Sequence, residues 1–375
     1  MSLITETDNR FMAAAERLAR RGLGRVWPNP AVAAMIVQEN SEGVPVLVGR
    51  GVTSRPGMAH AEVNALNQAG ELAKGATCYV TLEPCSHYGR TPPCSLALIK
   101  AGVSRVVVGM LDPNPRVSGR GVCMLQDAGI DVVTGVRERA FKDLYRGFTY
   151  RQRRHRPSVF LKLAVSKDGF IGREGEGQIK ISGPISMRMV HGFRAASDAI
   201  LVGIGTALAD DPQLTCRLPG LYSRSPVRVV VDRQARLPLN SKLVRTCVDV
   251  PVWLICGNGA DADQVNALAA AGVSIIRVPV TPSGIDPDVI LSALATRGVT
   301  RVMVEGGARL ASSFLGAGLV DDLCVVTGNV EIGEGGIPAL HDLELANVLT
   351  DPQFARIGDG YLGVDRYTYL RKSGA

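Results

Sequence analysis

TLEPCSHYGRTPPC, residues 81–94, carries Cys85 and Cys94 at the two ends of a loop rich in proline, glycine and polar groups, with eight residues between them. Such a pair can be a disulfide, part of a metal site, or two unrelated small side chains. The flanking sequence decides. ATCYVTLEP (76–84) reads as a buried strand running into Cys85, and CSLALIKAG (94–102) as a helix opening at Cys94. Upstream, HAEVNALNQAG (60–70) reads as a helix that opens at His60 and ends near Gly70. One imidazole and two thiolates at the starts of two helices can converge on a tetrahedral Zn²⁺, and three protein ligands leave the fourth position for water, the catalytic pattern. Helix N-termini also favour thiolate.

Glu62, two residues after His60, can take a proton from such a water and pass it to a leaving group, because zinc brings the pKa of water to about 7. The order H-x-E, then P-C, is that of the zinc deaminases, although there two residues rather than eight separate the cysteines. His87, third residue of CSH, is expected to face substrate, and Cys78, mid-strand, to be core.

The rest of the chain sets the frame. It has 375 residues, 46% apolar and 21% charged, which is ordinary globular composition with room for two domains. Its net charge of +7 suits phosphorylated substrates and nucleic acid alike. The first twenty residues carry charges of both signs and no apolar signal segment, and no apolar run is long enough for a membrane span, so a cytoplasmic protein is expected. Thiols stay reduced there, which argues against a disulfide. Helix 9–22 and strands 31–38, 44–52, 76–84, 103–113 and 130–136 make the first half α/β. YRQRRHRP (150–157) breaks the pattern and reads as a solvated connector between domains 1–150 and 151–375. From 158 onward strands and helices alternate to DDLCVVTGNV (321–330), the pattern of a doubly wound sheet with ligand at the strand carboxyl ends. In VMVEGGARLASSFL (302–315) a strand ends at Glu305, two glycines turn, and a helix starts near Ala308, a place where phosphate can meet free N–H groups. Arg194 and Arg217 are candidates to clamp a phosphorylated sugar.

HAEVNAL, TLEPCSHYGRTPPC and DPNPRVSGRG together resemble the bifunctional riboflavin-biosynthesis deaminase–reductase family, in which the long SHxGRTPPC loop carries the second cysteine. The resemblance runs from about residue 10 to 370 and is most specific in the first half. It implies a cytidine-deaminase-like α/β/α domain followed by a dihydrofolate-reductase-like α/β domain. The first would hold one zinc per chain through His60, Cys85 and Cys94, with Glu62 as the proton carrier, and would deaminate 2,5-diamino-6-ribosylamino-4(3H)-pyrimidinone 5′-phosphate. Asn29, His87, Asp112 and Asn114 would line its pyrimidine and phosphate pocket. The segments LKLAVSKDG, FRAASDAILVGIGTALADDPQLTCR, VVVD and VEGGARL resemble the NADPH-dependent reductase domain. Ala164, Thr206, Asp210 and the segment Gly307, Ala308, Arg309, Leu310, Ala311, Ser312 and Ser313 would then hold NADPH. Arg194, Leu214, Arg217 and Glu305 would hold substrate.

Two positions depart from the family pattern. Lys180 stands in QIKIS where QWI is frequent, and Arg233 follows VVVD where a small hydroxyl residue is frequent. Both are counted as cofactor-side residues, Arg233 as a candidate for the 2′-phosphate of NADPH. They also motivate one alternative, a deaminase with an inactive reductase domain. Two others are a deaminase acting on bases in nucleic acid, prompted by RQRRHR and the charge, and a scaffold with structural zinc. The long loop and the second α/β domain oppose the former; the open ligand position and Glu62 oppose the latter. The expected partner is a small phosphorylated pyrimidine, with a homo-oligomer and no membrane or nucleic-acid partner.

Overall fold

Runs such as AAMIV and RVVV are buried on both faces, which is what central strands of a helix-covered sheet require. The computed structural model of the chain describes residues 3–88, 92–115 and 117–374. They fall into two units, Met1–Arg154 and His155–Ala375. In the first, β1 (Ala33–Glu39), β2 (Pro45–Val52), β3 (Thr77–Val80), β4 (Arg105–Val108) and β5 (Asp131–Thr134) lie in the order β2-β1-β3-β4-β5. β1 is antiparallel to both neighbours, whereas β3, β4 and β5 are parallel. Parallel neighbours need crossovers, and α3 (Cys94–Ala101) and α4 (Arg120–Asp127) supply them. With α1 (Glu6–Arg20), α2 (Ala61–Ala69), α5 (Glu138–Leu144) and α6 (Arg146–Arg154), the unit is an α/β/α layer structure.

Two readings of the sequence change here. Helix α1 begins at Glu6, not at 9, because Thr5 and Asp8 form a reciprocal capping box. The stretch 150–157 is not all connector, since its first five residues finish α6. That helix has no aliphatic stripe but buries Gly147 and Tyr150, and Arg154 lies over the Tyr150 ring at 4.2 Å. Arg156 is likewise occupied, by both carboxylate oxygens of Asp321 at 2.7 Å. A run that reads as a solvated connector is thus partly spent on internal contacts.

The second unit contains β6 (Ser158–Val165), β7 (Phe170–Arg173), β8 (Ala199–Gly203), β9 (Val227–Val231), β10 (Val252–Gly257), β11 (Ser274–Val278), β12 (Arg301–Glu305), β13 (Asp322–Thr327), β14 (Gly336–Pro338), β15 (Phe354–Leu362) and β16 (Asp365–Lys372). Helices α7 (Pro184–Ala195), α8 (Ile204–Asp210), α9 (Lys242–Arg245), α10 (Ala262–Ala270), α11 (Pro287–Thr296) and α12 (Ala308–Gly316) connect them. Nine strands form one sheet in the order β11-β10-β9-β8-β12-β6-β13-β16-β15. The strands from β11 to β13 are parallel, and the β15–β16 hairpin closes the edge antiparallel. The alternation alone did not disclose this hairpin. Strands β8 to β11 are laid outward in one direction, and the chain then returns to insert β12 between β8 and β6. The order therefore reverses between β8 and β12, and an open α/β sheet holds ligands beyond the strand ends at such a point.

Candidate active sites

His60 is the N-cap of α2, with extended backbone and no capping hydrogen bond from its side chain, so the imidazole is free for other use. Cys94 is the first residue of α3. Cys85 follows β3 in the loop, and its Sγ accepts the Cys94 backbone N–H at 3.3 Å. His60 Nδ1 lies 3.6 Å from Cys85 Sγ and 3.3 Å from Cys94 Sγ, and all three ligand atoms lie within 4.8 Å of one another. A tetrahedral zinc with ordinary bond lengths separates nitrogen from sulfur by about 3.5 Å, so the cluster fits the ion. The electrostatics agree. Hydrogen bonding from Cys94, against the opposing effect of burial and with help from His60, holds Cys85 at about 4. The Cys85 thiolate, burial and Glu62 together push the Cys94 thiol up. Left to themselves the two thiols do not ionise together; a dication between them lifts that conflict.

Glu62 lies on the first turn of α2 and is buried. Burial pushes its carboxyl up to about 7, and its side chain reaches Cys94. The height of α2 over the sheet is set by two glycines of β2. A Cβ at Gly51 would collide with the Ala61 carbonyl and stand 2.5 Å from Ala65 N, and one at Gly49 would collide with the Ala65 carbonyl.

In the second unit, α8 leaves the end of β8 and α12 leaves the end of β12, so both helices start at the reversal point. Gly306 and Gly307 turn the chain at φ 87° and 80°, values that favour glycine. Thr206 closes on that turn, 3.3 and 3.1 Å from where Cβ atoms of the two glycines would be. Next to it, Glu305 accepts two hydrogen bonds from Arg194, at 2.8 and 2.6 Å, and the third Arg194 nitrogen donates to Thr215 O at 3.0 Å. Lys162 of β6 is aligned with Glu305 in the β6–β12 ladder. Burial lowers its ammonium pKa, opposed by the Glu305 charge. Nothing in the sequence reading assigned Lys162; the available cue was a lysine inside an otherwise apolar strand.

Residues 157–362 match the model of the RibD C-terminal domain, and residues 5–110 match that of the cytidine and deoxycytidylate deaminase zinc-binding region. The riboflavin biosynthesis protein RibD of Bacillus amyloliquefaciens is 40% identical over 89% of this chain and 87% of its own. The chain belongs to the RibD family. Among solved structures, Acinetobacter baumannii RibD superposes with a TM-score of 0.85 at 36% identity, covering 98% of this chain and 99% of that one. A diaminohydroxyphosphoribosylaminopyrimidine deaminase/5-amino-6-(5-phosphoribosylamino)uracil reductase from Thermotoga maritima gives 0.82 at 32% identity over 97% and 98% of the two chains. RibD membership accounts for the fold of both units, a zinc-binding deaminase domain followed by a reductase domain.

The RibD site residues expected from the sequence divide by placement. Asp112 and Asn114 share one turn, in which Asp112 Oδ1 accepts the Asn114 N–H at 2.8 Å. Burial raises the Asp112 carboxyl pKa, and the nearby His87 opposes the rise. Asn29 is half-buried in the turn after Val26, and His87 is exposed. Residues 89–91 of the long loop lie outside the described residues. Ala164 is half-buried on β6, Asp210 ends α8, and Leu214 is buried with φ 55°. Lys180 and Arg233 are exposed, and Arg233 Nη1 donates to the Pro282 carbonyl at 3.5 Å.

Two groups of the expected residues are already engaged within the fold. Arg194 gives three of its five N–H donors to Glu305 and Thr215, so it is one half of a buried ion pair; Arg217 is exposed, and its backbone N–H is donated to His191 Nδ1 at 3.3 Å. The segment 307–313 is not uniformly exposed. Ala311 is fully buried in the core, and Ser312 Oγ accepts the His341 N–H at 2.8 Å. Gly307, Ala308, Arg309 and Leu310 stand at the turn, while Ser313 is exposed a turn further on.

Proposed function

We infer that His60, Cys85 and Cys94 hold the zinc of a deaminase centre in which Glu62 moves the protons, and that the β8–β12 crevice holds NADPH. The chain carries out two consecutive steps of riboflavin biosynthesis. It deaminates 2,5-diamino-6-ribosylamino-4(3H)-pyrimidinone 5′-phosphate by hydrolysis, then reduces the ribosyl side chain with NADPH to give 5-amino-6-ribitylaminouracil 5′-phosphate. The observation that carries the site reading is the convergence of the three ligand atoms beside a buried carboxylate.

Zinc, when bound, makes the attacking water acidic enough to lose a proton near neutral pH. Glu62 would accept that proton and deliver it to the ring nitrogen, then carry a second, released by the added hydroxyl, to the departing amine. The new C–O bond replaces the C–N bond, and ammonia leaves. Burial suits Glu62 to this shuttle, because a carboxyl near 7 can both take and give a proton. Asn29, His87, Asp112 and Asn114 are read as the pyrimidine and phosphate contacts.

NADPH supplies the hydride for the second step. Thr206 and the Gly306–Gly307 turn offer a close backbone approach for its phosphates, with Ala164 and Asp210 nearby in the reading. Lys162, next to Glu305 and disfavoured as a cation by burial, is read as the source of the proton that accompanies the hydride. Arg217 is read as the cation for the substrate phosphate. Arg233 is read as the partner of the NADPH 2′-phosphate. Arg233→Ala should raise the Kd for NADPH about tenfold and leave that for NADH unchanged; equal losses for both, by fluorescence titration, would remove the assignment.

Mass spectrometry of the product from zinc-loaded chain, substrate and NADPH tests the whole reading. A deaminated and reduced product supports it, whereas a product only deaminated would leave the second unit inactive and point to Lys180 and Arg233. No helix among the described residues is long and apolar enough to cross a membrane. Homo-oligomerisation is part of the reading, supported by the exposed Ile357, Tyr361 and Val364 at the edge hairpin, and light scattering decides it.

A further inference from the structure

Glu83 has no assigned role, yet it is 4% exposed and sits two residues before Cys85. Its backbone N–H is already given to Met110 O at 2.9 Å. Its carboxylate collects four backbone N–H groups from one remote segment. Oε2 accepts from Asp112 at 3.0 Å and Gly119 at 2.9 Å, and Oε1 accepts from Gly121 at 2.9 Å and Val122 at 3.4 Å. Gly121 and Val122 lie in the first turn of α4, whose N-cap, Gly119, has no side chain to offer. The first N–H groups of a helix need acceptors, and here one carboxylate from across the domain supplies them, with a charge that suits the helix terminus. A second observation points the same way. A Cβ at Gly121 would collide with the Pro84 carbonyl and stand 3.2 Å from Glu83 Oε1, so the glycine is what allows the approach. Two motifs that are separate in sequence, TLEPC and DPNPRVSGRG, are thus one hydrogen-bonded unit.

We propose that Glu83 is the positioning residue that fixes the Asp112–Asn114 turn relative to the Cys85 loop, and so sets the affinity of the deaminase for its phosphorylated pyrimidine. The turn has further holds, among them Asn114 O, which accepts the Val117 and Ser118 N–H groups at 2.9 Å each. Asp112 Oδ1 accepts from Asn114, and Arg153 Nε donates to Pro113 O at 2.9 Å. Glu83 joins the turn both to the helix behind it and to the strand that leads to the metal loop. The proposal rests on the reading that this turn contacts substrate.

The test uses the full zinc-loaded chain. In Glu83→Gln an amide NH₂ faces donors and two N–H groups lose their acceptor. KM for the diaminopyrimidine ribosyl phosphate should rise at least tenfold and kcat fall less than threefold. Zinc should stay at one per chain, and reductase activity on the deaminated substrate, the internal control for folding, should be unchanged. Glu83→Asp, charged but too short to span both sets of donors, should fall between. If Glu83→Gln loses reductase activity as well, the aspartate variant decides on the same criterion. A KM within twofold of the parent, or a loss of zinc and kcat with KM unchanged, overturns the proposal. Asn114→Ala separates the two layers. If it leaves KM unchanged, the turn is not a substrate contact and both readings fall. If it raises KM while the Glu83 variants do not, Glu83 alone is excluded.

Discussion

Glu62→Gln should lower the rate of deamination by about 10³-fold, the scale of a lost general acid–base. The substitution keeps the size of the side chain and removes its capacity to hold a proton in transit. Because Glu62 is not one of the three converging ligand atoms, zinc content should remain at one per chain. The second unit supplies the control: reduction of the deaminated substrate should proceed at the parent rate. Loss of zinc with loss of activity would instead make Glu62 part of the metal's support, and a loss below tenfold would take it out of the proton path. The comparison is strongest at pH 7 to 8, where a carboxyl at about 7 is substantially ionised in the parent.

Glu305→Ala should strongly destabilise the second unit. The Arg194–Glu305 pair is mostly buried, with side-chain exposures of 8% and 12%. Removing one member leaves a guanidinium with a single carbonyl partner, at a cost of about 3–5 kcal/mol. For a unit of this size that corresponds to roughly 10 °C in the Tm of its transition. Burial alone would raise the Glu305 carboxyl pKa, but the charge and hydrogen bonds of Arg194 outweigh it and hold the group below its ordinary value. The stabilisation is therefore fully present above the unfolded Glu pKa of about 4.3 and is lost as pH falls through the lower folded value. Parent and variant should differ by a constant amount at neutral pH and converge in acid. A difference under about 1 kcal/mol by denaturant titration would mean that Arg194 finds another partner or water.

The chemistry was more legible than the supports beneath it. His60, Glu62, Cys85 and Cys94 are readable because zinc chemistry demands particular atoms, and because helix starts place them by rules local to the sequence. The alternation from 158 to 330 likewise carries the parallel sheet in its periodicity. What stayed hidden depends on long-range contacts. Arg194 and Glu305 were both picked out as ligand residues, but no pattern tells that residues 111 positions apart satisfy each other. Glu83 reads as one polar residue among several before Pro84, and its four donors lie 29 to 39 positions away. The end of α6 was missed because its buried face consists of a glycine and a tyrosine rather than aliphatic residues. The β15–β16 hairpin was missed because its outer strand alternates between half-buried and exposed positions and holds two glycines.

The glycines of β2 carry a lesson for anyone wishing to transplant this zinc centre. Gly49 and Gly51 donate nothing to the metal, yet the backbone of α2 rests where their side chains would be. Grafting the HAE and PC segments onto another sheet would bring every ligand along and still set the imidazole at the wrong height. The smallest portable unit is the ligand set together with a strand that has been kept bare beneath it.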